Sequence, residues 1–179
     1  MKIRMKRKLA VVLLICISCH MGWAAQDFVW KSGQNMKVVC DTTEAPVVKV
    51  ALDLLKRDCR SVLSGNISRS ENTGNIYVGT WGESSVLQAL AETRQLDVAL
   101  LNEHKEAFLL NVLPDGRLIV AGSDKRGTAY GVLELSRMMG VSPWEWWADA
   151  VPEKKEELRL PAGFRKLDYP QVAYRGIFI

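Results

Sequence analysis

Three indoles within four residues, Trp144-Glu145-Trp146-Trp147, are the densest cluster of chemistry-bearing side chains in the sequence. Flat indole faces stack on the C–H faces of sugars, and the same rings fill cores and interfaces. Core packing, domain–domain packing and direct sugar contact are therefore the uses open to Trp144, Trp146 and Trp147. A second candidate is Gly122-Ser123-Asp124-Lys125-Arg126-Gly127-Thr128. Free N–H groups at a helix start, with Lys125 and Arg126 beside them, suit an anion. The P-loop requires Gly-Lys-Ser/Thr, however, and here Gly127 runs directly into Thr128; nor is the spacing GxGxxG. The alternative is a tight strand-to-helix turn, in which Gly127 and Gly131 let the helix approach the sheet closely. Glu145, Asp149 and Asp124 offer carboxylates for an acid/base pair. Spacing alone does not put two of them across one cleft, and a solvated or capping role is the default for each.

Histidine is scarce enough to exclude whole classes. His20 lies in the leader described below, which leaves His104, in the polar turn Asn102-Glu103-His104-Lys105. No nucleophile-elbow motif accompanies it, so nothing points to Ser-His-Asp or Cys-His catalysis. Sites built on two imidazoles or on CxxC pairs cannot be assembled, and no metal or cofactor is expected.

The formal charge of +4 on 179 residues suggests an acidic partner until its location is considered. Lys2, Arg4, Lys6, Arg7 and Lys8 precede any acidic residue; without them 19 basic face 20 acidic residues, and +4 becomes −1. No nucleic-acid partner is implied. Those cations lead into the apolar run Leu9 to Ile17, too short to span a bilayer. The order describes a secretory signal peptide over residues 1–24, with Gly22 and Ala24 at cleavage spacing. Lipoprotein processing at Cys19 is the rival, for which Cys16 fits poorly. The product is expected in the periplasm or outside the cell. Cys40 and Cys59 remain after cleavage; an oxidising compartment would let them pair, but buried free thiols are the expectation, since they fall towards opposite ends of the sheet.

The elements that carry these groups follow from periodicity. Met36 to Cys40 reads as a strand, followed by N-cap candidates Asp41, Thr42 and Thr43. Apolar residues at three- and four-residue steps from Glu44 to about Leu63 predict an amphipathic helix, with Pro46 tolerated in its first turn. A polar loop reaches to Gly74. Asn75 to Gly79 is a strand and Glu83 to about Leu90 a shorter helix. Pro114-Asp115-Gly116 predicts a hairpin between Glu106–Leu113 and Arg117–Ala121. A helix from Lys125 to Met139 follows, capped by Ser123 or Asp124 and ended by Gly140. The order β-α-β-α-β-β-α defines an α/β domain on a small mixed sheet with flanking helices. A strand at Leu158-Arg159-Leu160, a linker from Pro161 to Pro170 and an apolar strand from Val172 to Ile179 complete the chain.

Two stretches carry a specific resemblance. Ala121-Gly122-Ser123-Asp124-Lys125-Arg126-Gly127-Thr128-Ala129-Tyr130-Gly131 and Gly140-Val141-Ser142-Pro143-Trp144-Glu145-Trp146-Trp147-Ala148-Asp149 resemble the N-terminal domain of glycoside hydrolase family 115. Tyr174 to Ile179 is similar to that family's entry into its catalytic barrel. The resemblance implies a xylan α-1,2-glucuronidase, an inverting hydrolase that removes glucuronic acid or its 4-O-methyl ether and needs no cofactor. In that family a small α/β domain precedes a (β/α)8 barrel, and the catalytic carboxylates lie in the barrel. No catalytic residue is therefore carried over to this sequence.

The expected division is a leader at 1–24, an α/β domain at 25–160, and a linker with the start of a truncated barrel at 161–179. The expected role is that of an N-terminal domain or fragment, inactive alone, of a secreted enzyme whose substrate is glucuronoxylan or its oligosaccharides. A stand-alone carbohydrate-binding module using Trp144–Trp147 is the alternative. An anion- or nucleotide-binding domain through Gly122–Thr128 is a weaker third.

Overall fold

The computed structural model describes residues 24–93 and 95–175. Residues 1–23 of the expected leader, Cys19 among them, therefore lie outside the described residues, as do residues 176–179. The order is β1 (Phe28–Lys31), β2 (Asn35–Cys40), α1 (Pro46–Leu63), β3 (Asn66–Ser70), β4 (Ile76–Thr80), α2 (Ser85–Glu92) and α3 (Ala99–Glu103). It continues with β5 (Phe108–Val112), β6 (Leu118–Gly122), α4 (Lys125–Met139), α5 (Trp144–Trp147), β7 (Glu157–Leu160) and β8 (Arg165–Asp168).

Among the described residues a six-stranded mixed sheet has the order β3-β2-β4-β6-β5-β8. Its first four strands are parallel, and β5 runs antiparallel between β6 and β8. Alternation along the strands divides the core into two. Val38, Ile76, Val78, Leu118 and Val120 face α1 and α4, while Val39, Tyr77, Ile119 and Ala121 face α2 and α3. Both faces of the central strands are covered, which is why they read as continuous apolar runs. The antiparallel ribbon of β1 and β7 closes one margin of the first core with Phe28, Trp30, Leu158 and Leu160. The mixed sheet with flanking helices expected from the sequence is the architecture found.

Helix α1 buries Val48, Ala51, Leu55, Cys59 and Val62 on one side. Truncating a fully buried leucine such as Leu55 to alanine costs about 2–5 kcal/mol in sites of this kind. Pro46 stands in the first turn of α1, but the expected caps do not cap it. Ala45 holds the N-cap position without a side-chain bond, and Asp41 instead accepts from the Ser85 N–H and hydroxyl at the start of α2. Helix α4 has the predicted bounds, with Asp124 as its cap and Gly140 at φ 99° ending it.

Several segments differ from the sequence reading, which did not contain the short helices α3 and α5. The polar stretch after Gly65 contains edge strand β3, whose sole buried residue is Ile67. Strand β1 is too short for its alternation to register. Arg165–Asp168, inside the segment read as a linker, pairs with β5. Residues 172–175, the described part of the expected terminal strand, form no strand. There the Arg175 guanidinium donates to the Val172 carbonyl and to Glu106.

Candidate functional site

Open parallel sheets bind ligands outside the carboxyl ends of their strands, where neighbouring strands send their connections opposite ways. Here that point lies between β2, which connects to β3, and β4, which leads on towards β6. The crevice is filled by the chain itself. Glu44, only 4% exposed, follows β2 and turns its carboxylate inward. Thr80 at the end of β4 donates its N–H to Oε2 at 3.0 Å and its hydroxyl to Oε1 at 2.8 Å. The Ala45 N–H also donates to Oε1, at 3.1 Å. Behind Thr80, its hydroxyl oxygen lies 2.8 Å from that of Thr128, which also reaches the Asp124 carbonyl at 3.0 Å. Sequence reasoning passed over Glu44, an acid directly before Ala-Pro at a helix start and four residues beyond the end of β2.

The end of β6 is closed in the same way. Asp124 Oδ1 accepts the N–H groups of Arg126 and Gly127, each at 2.9 Å, and Oδ2 accepts that of Glu106 at 2.8 Å. The start of α4 thus holds the protein's own carboxylate where an anion would sit. Gly122 and Gly127 are dictated by close approach. A Cβ on Gly127 would lie 2.1 Å from the Ala107 carbonyl oxygen, and one on Gly122 2.0 Å from the Thr128 nitrogen. Arg126 pairs with Glu106 at 3.0 Å, and Arg175 pairs with the same carboxylate. The Arg175 and Arg126 hydrogen bonds hold Glu106 below its ordinary carboxylate pKa. Lys125 is exposed beside this cluster.

The indoles are placed differently. Helix α5 is a single turn, and Trp144, Trp146 and Trp147 are 64%, 67% and 81% exposed, so none belongs to the core of this domain. Arg57 of α1 fixes the turn: its guanidinium lies 4.8 Å from the Trp146 ring centre and bonds Asp58 at 2.6 Å and Glu145 at 3.2 Å. Trp146 borders a cavity of about 420 Å³ between α1 and α4, floored by Leu54, Phe108, Leu133 and Val141. Val47 and Val50 on α1 and Tyr130 and Leu133 on α4 are also exposed. At the margin, burial would raise the Glu134 carboxyl, but hydrogen bonds from Arg137 and Lys166 hold it below its ordinary value.

The three candidate carboxylates do not share a cleft function: Asp124 caps α4, Glu145 pairs with Arg57, and Asp149 follows α5 at φ 50°. His104 is half-buried and stacks on Tyr169, with ring centres 3.6 Å apart. Cys40 and Cys59 are buried and free, as expected. Burial pushes both thiols up to about 11, with Glu44 adding to the effect at Cys40 and Asp58 to that at Cys59. Among the described residues no group of three potential ligands could hold a metal ion, and no helix is long and apolar enough to cross a membrane.

Solved structures share this architecture. CpGH84D matches with 17% identity and a TM-score of 0.57, over 83% of this chain and 22% of its own. A Streptomyces plicatus β-hexosaminidase matches with 15% identity and a TM-score of 0.51, over 84% of this chain and 25% of its own. These likenesses define the class by fold alone: an α/β domain that recurs as a minor part of larger chains. A third match is of another order. A family GH115 4-O-methyl-α-glucuronidase with specificity for decorated arabinogalactans is 55% identical, with a TM-score of 0.79 over 85% of this chain. At that identity the domain belongs to family GH115, and the chain spans about 20% of the length of that enzyme. No family model and no curated protein matches the chain.

Proposed function

We propose that this chain is the α/β accessory domain of an exported family GH115 α-glucuronidase, and that it is inactive without the remainder of such an enzyme. The observation that carries the proposal is the apolar outer face of α1 and α4, continued by the exposed indoles of α5. A folded domain with its own double core has little reason to leave valines, a leucine and three tryptophans on one side unless a partner surface covers them. The partner is the catalytic barrel, entered from the segment that follows β8. The 55% relative supports the reaction class, removal of 4-O-methylglucuronic acid. Its specificity for decorated arabinogalactans sets a second polysaccharide beside the glucuronoxylan inferred from sequence. Export rests on the basic, apolar and small-residue order of the first 24 residues.

The test is release of 4-O-methylglucuronic acid from glucuronoxylan and from decorated arabinogalactan by the purified chain. No release is expected from either, and measurable release would overturn the proposal. Exposure of Trp144, Trp146 and Trp147 also supports the second reading, a carbohydrate-binding module. A saturable fluorescence change with neutral xylan fragments, lost in Trp146→Ala or Trp147→Ala, would favour it; a flat titration would remove it.

A further inference from the structure

The edge of the sheet formed by β3, far along the strand order from β8, carries a second feature. Between β3 and α1 runs a groove of about 490 Å³, floored by Val38, Leu52 and Ile67. Lys49, Lys56 and Arg69 line it, and the acid among its lining residues is Asp53. Arg60 stands at its end, donating to Asn66 Oδ1 at 3.2 Å. Every described arginine other than Arg60 and Arg69 sits in an ion pair. Lys49 and Arg69 donate instead to the carbonyls of Thr42 and Asp41, neutral partners that leave their charge uncompensated. The arginine charges without a carboxylate partner thus converge on one amphipathic groove. Beside it, the outer backbone edge of β3 pairs with no strand among the described residues.

We infer that this groove binds a uronate-bearing saccharide, taking the sugar carboxylate on Lys56 and Arg69 and its hydroxyls on the β3 edge. The inference rests on the proposal that the chain belongs to an enzyme acting on glucuronate-decorated polysaccharide. Under that proposal the groove would hold neighbouring decorations of a polymer near the enzyme. An apolar floor with cations above it suits a ring that has C–H faces and one negative charge. A uniformly charged polymer would have no use for such a floor.

The test titrates the 179-residue chain with a xylo-oligosaccharide bearing one 4-O-methylglucuronate, alongside the carboxyl-reduced oligosaccharide and polyglutamate. Expected is saturable, salt-sensitive binding of the uronate ligand alone. Lys56→Gln with Arg69→Gln should weaken it about two- to thirtyfold, the range for losing two exposed ion pairs. Lys56→Arg with Arg69→Lys should restore it, and matched thermal midpoints establish that the variants fold. Equal binding of the carboxyl-reduced sugar, equal binding of polyglutamate, or indifference to the Gln variant each overturns the inference. Loss in Trp146→Ala but not in the Gln variant also overturns it. Failure here leaves the glucuronidase proposal standing, because that proposal fails on product release by the chain alone.

Discussion

Replacing Thr80 with valine tests the self-filled crevice at the end of β4. The substitution preserves shape and removes one hydroxyl, which donates to Glu44 Oε1 at 2.8 Å. Thr80 is 2% and Glu44 4% exposed, so water cannot replace the lost donor. A hydrogen bond to a charged group contributes about 1.5–3 kcal/mol, and leaving the buried acceptor short of a partner keeps the cost at that level. The Thr80 and Ala45 N–H groups still hold the carboxylate, so a loss of about 2 kcal/mol is expected. With a urea slope of about 1–3 kcal/mol per molar, the unfolding midpoint should fall by about 1 M. Thr128→Val is the control. Its hydroxyl does not touch Glu44, and a neutral bond is worth about 1 kcal/mol. Thr80→Ser, which keeps the hydroxyl, should recover most of the loss. If Thr80→Val unfolds within 0.2 M of the parent (about 0.4 kcal/mol), or if Thr128→Val costs more, the carboxylate network does not close this crevice.

Gly127→Ala forces a Cβ to 2.1 Å from the Ala107 carbonyl oxygen and should cost about 3 kcal/mol, read as the urea midpoint. Both thiols, pushed up to about 11, are nearly all protonated at pH 8. Labelling by a thiol reagent should be at least about a hundredfold slower in the native chain than in urea. Because the folded values lie above the ordinary 9.0, the thiols' contribution to stability is complete below pH 9 and declines as pH rises through about 11. Glu134 is shifted the other way. Its contribution is present above its ordinary 4.5 and is lost as pH falls through its lowered value. Glu134→Gln should therefore cost about 2 kcal/mol at pH 7 and lose less than the parent between pH 7 and pH 3.

The central strands and the two long helices were legible because their signals are local. Leu118 to Gly122 is a short apolar run beside a strong turn, and Asp124 and Gly140 mark both ends of α4. What escaped depends on contacts distant in sequence. Strand β3 has one buried side chain, and its place comes from parallel pairing with β2 across the whole of α1. Strand β8 alternates weakly, since its residues lie on an edge. Asp41 reads as a cap for the helix that follows it, yet it bonds Ser85, 44 positions away. The candidate site shows the same limit. Lys125, Arg126 and the tryptophans could be named from residue type, but pairing of Arg126 with Glu106, and of Arg57 with Trp146 and Glu145, is fixed only by the fold. Glu44 could not be singled out because an acid at a helix start is ordinarily a solvated one.

The location of the charges bears on what such a domain is for. At the carboxyl ends of β2, β4 and β6, where this class of sheet offers a ligand crevice, Asp41, Glu44 and Asp124 are each bonded to N–H or hydroxyl groups of the same chain. A ligand entering there would have to displace several short hydrogen bonds and meet negative charge. Seven of the nine described arginines are paired with carboxylates elsewhere in the fold. Two described surfaces without internal partners are the apolar face of α1, α4 and α5 and the cationic groove at β3. Under the proposals above, one meets a protein surface and the other an acidic sugar. The filled crevice and the open outer faces fit the proposed role of a domain that docks and holds. In the proposed enzyme, bond cleavage would then belong to the domain that covers the α1–α4 face.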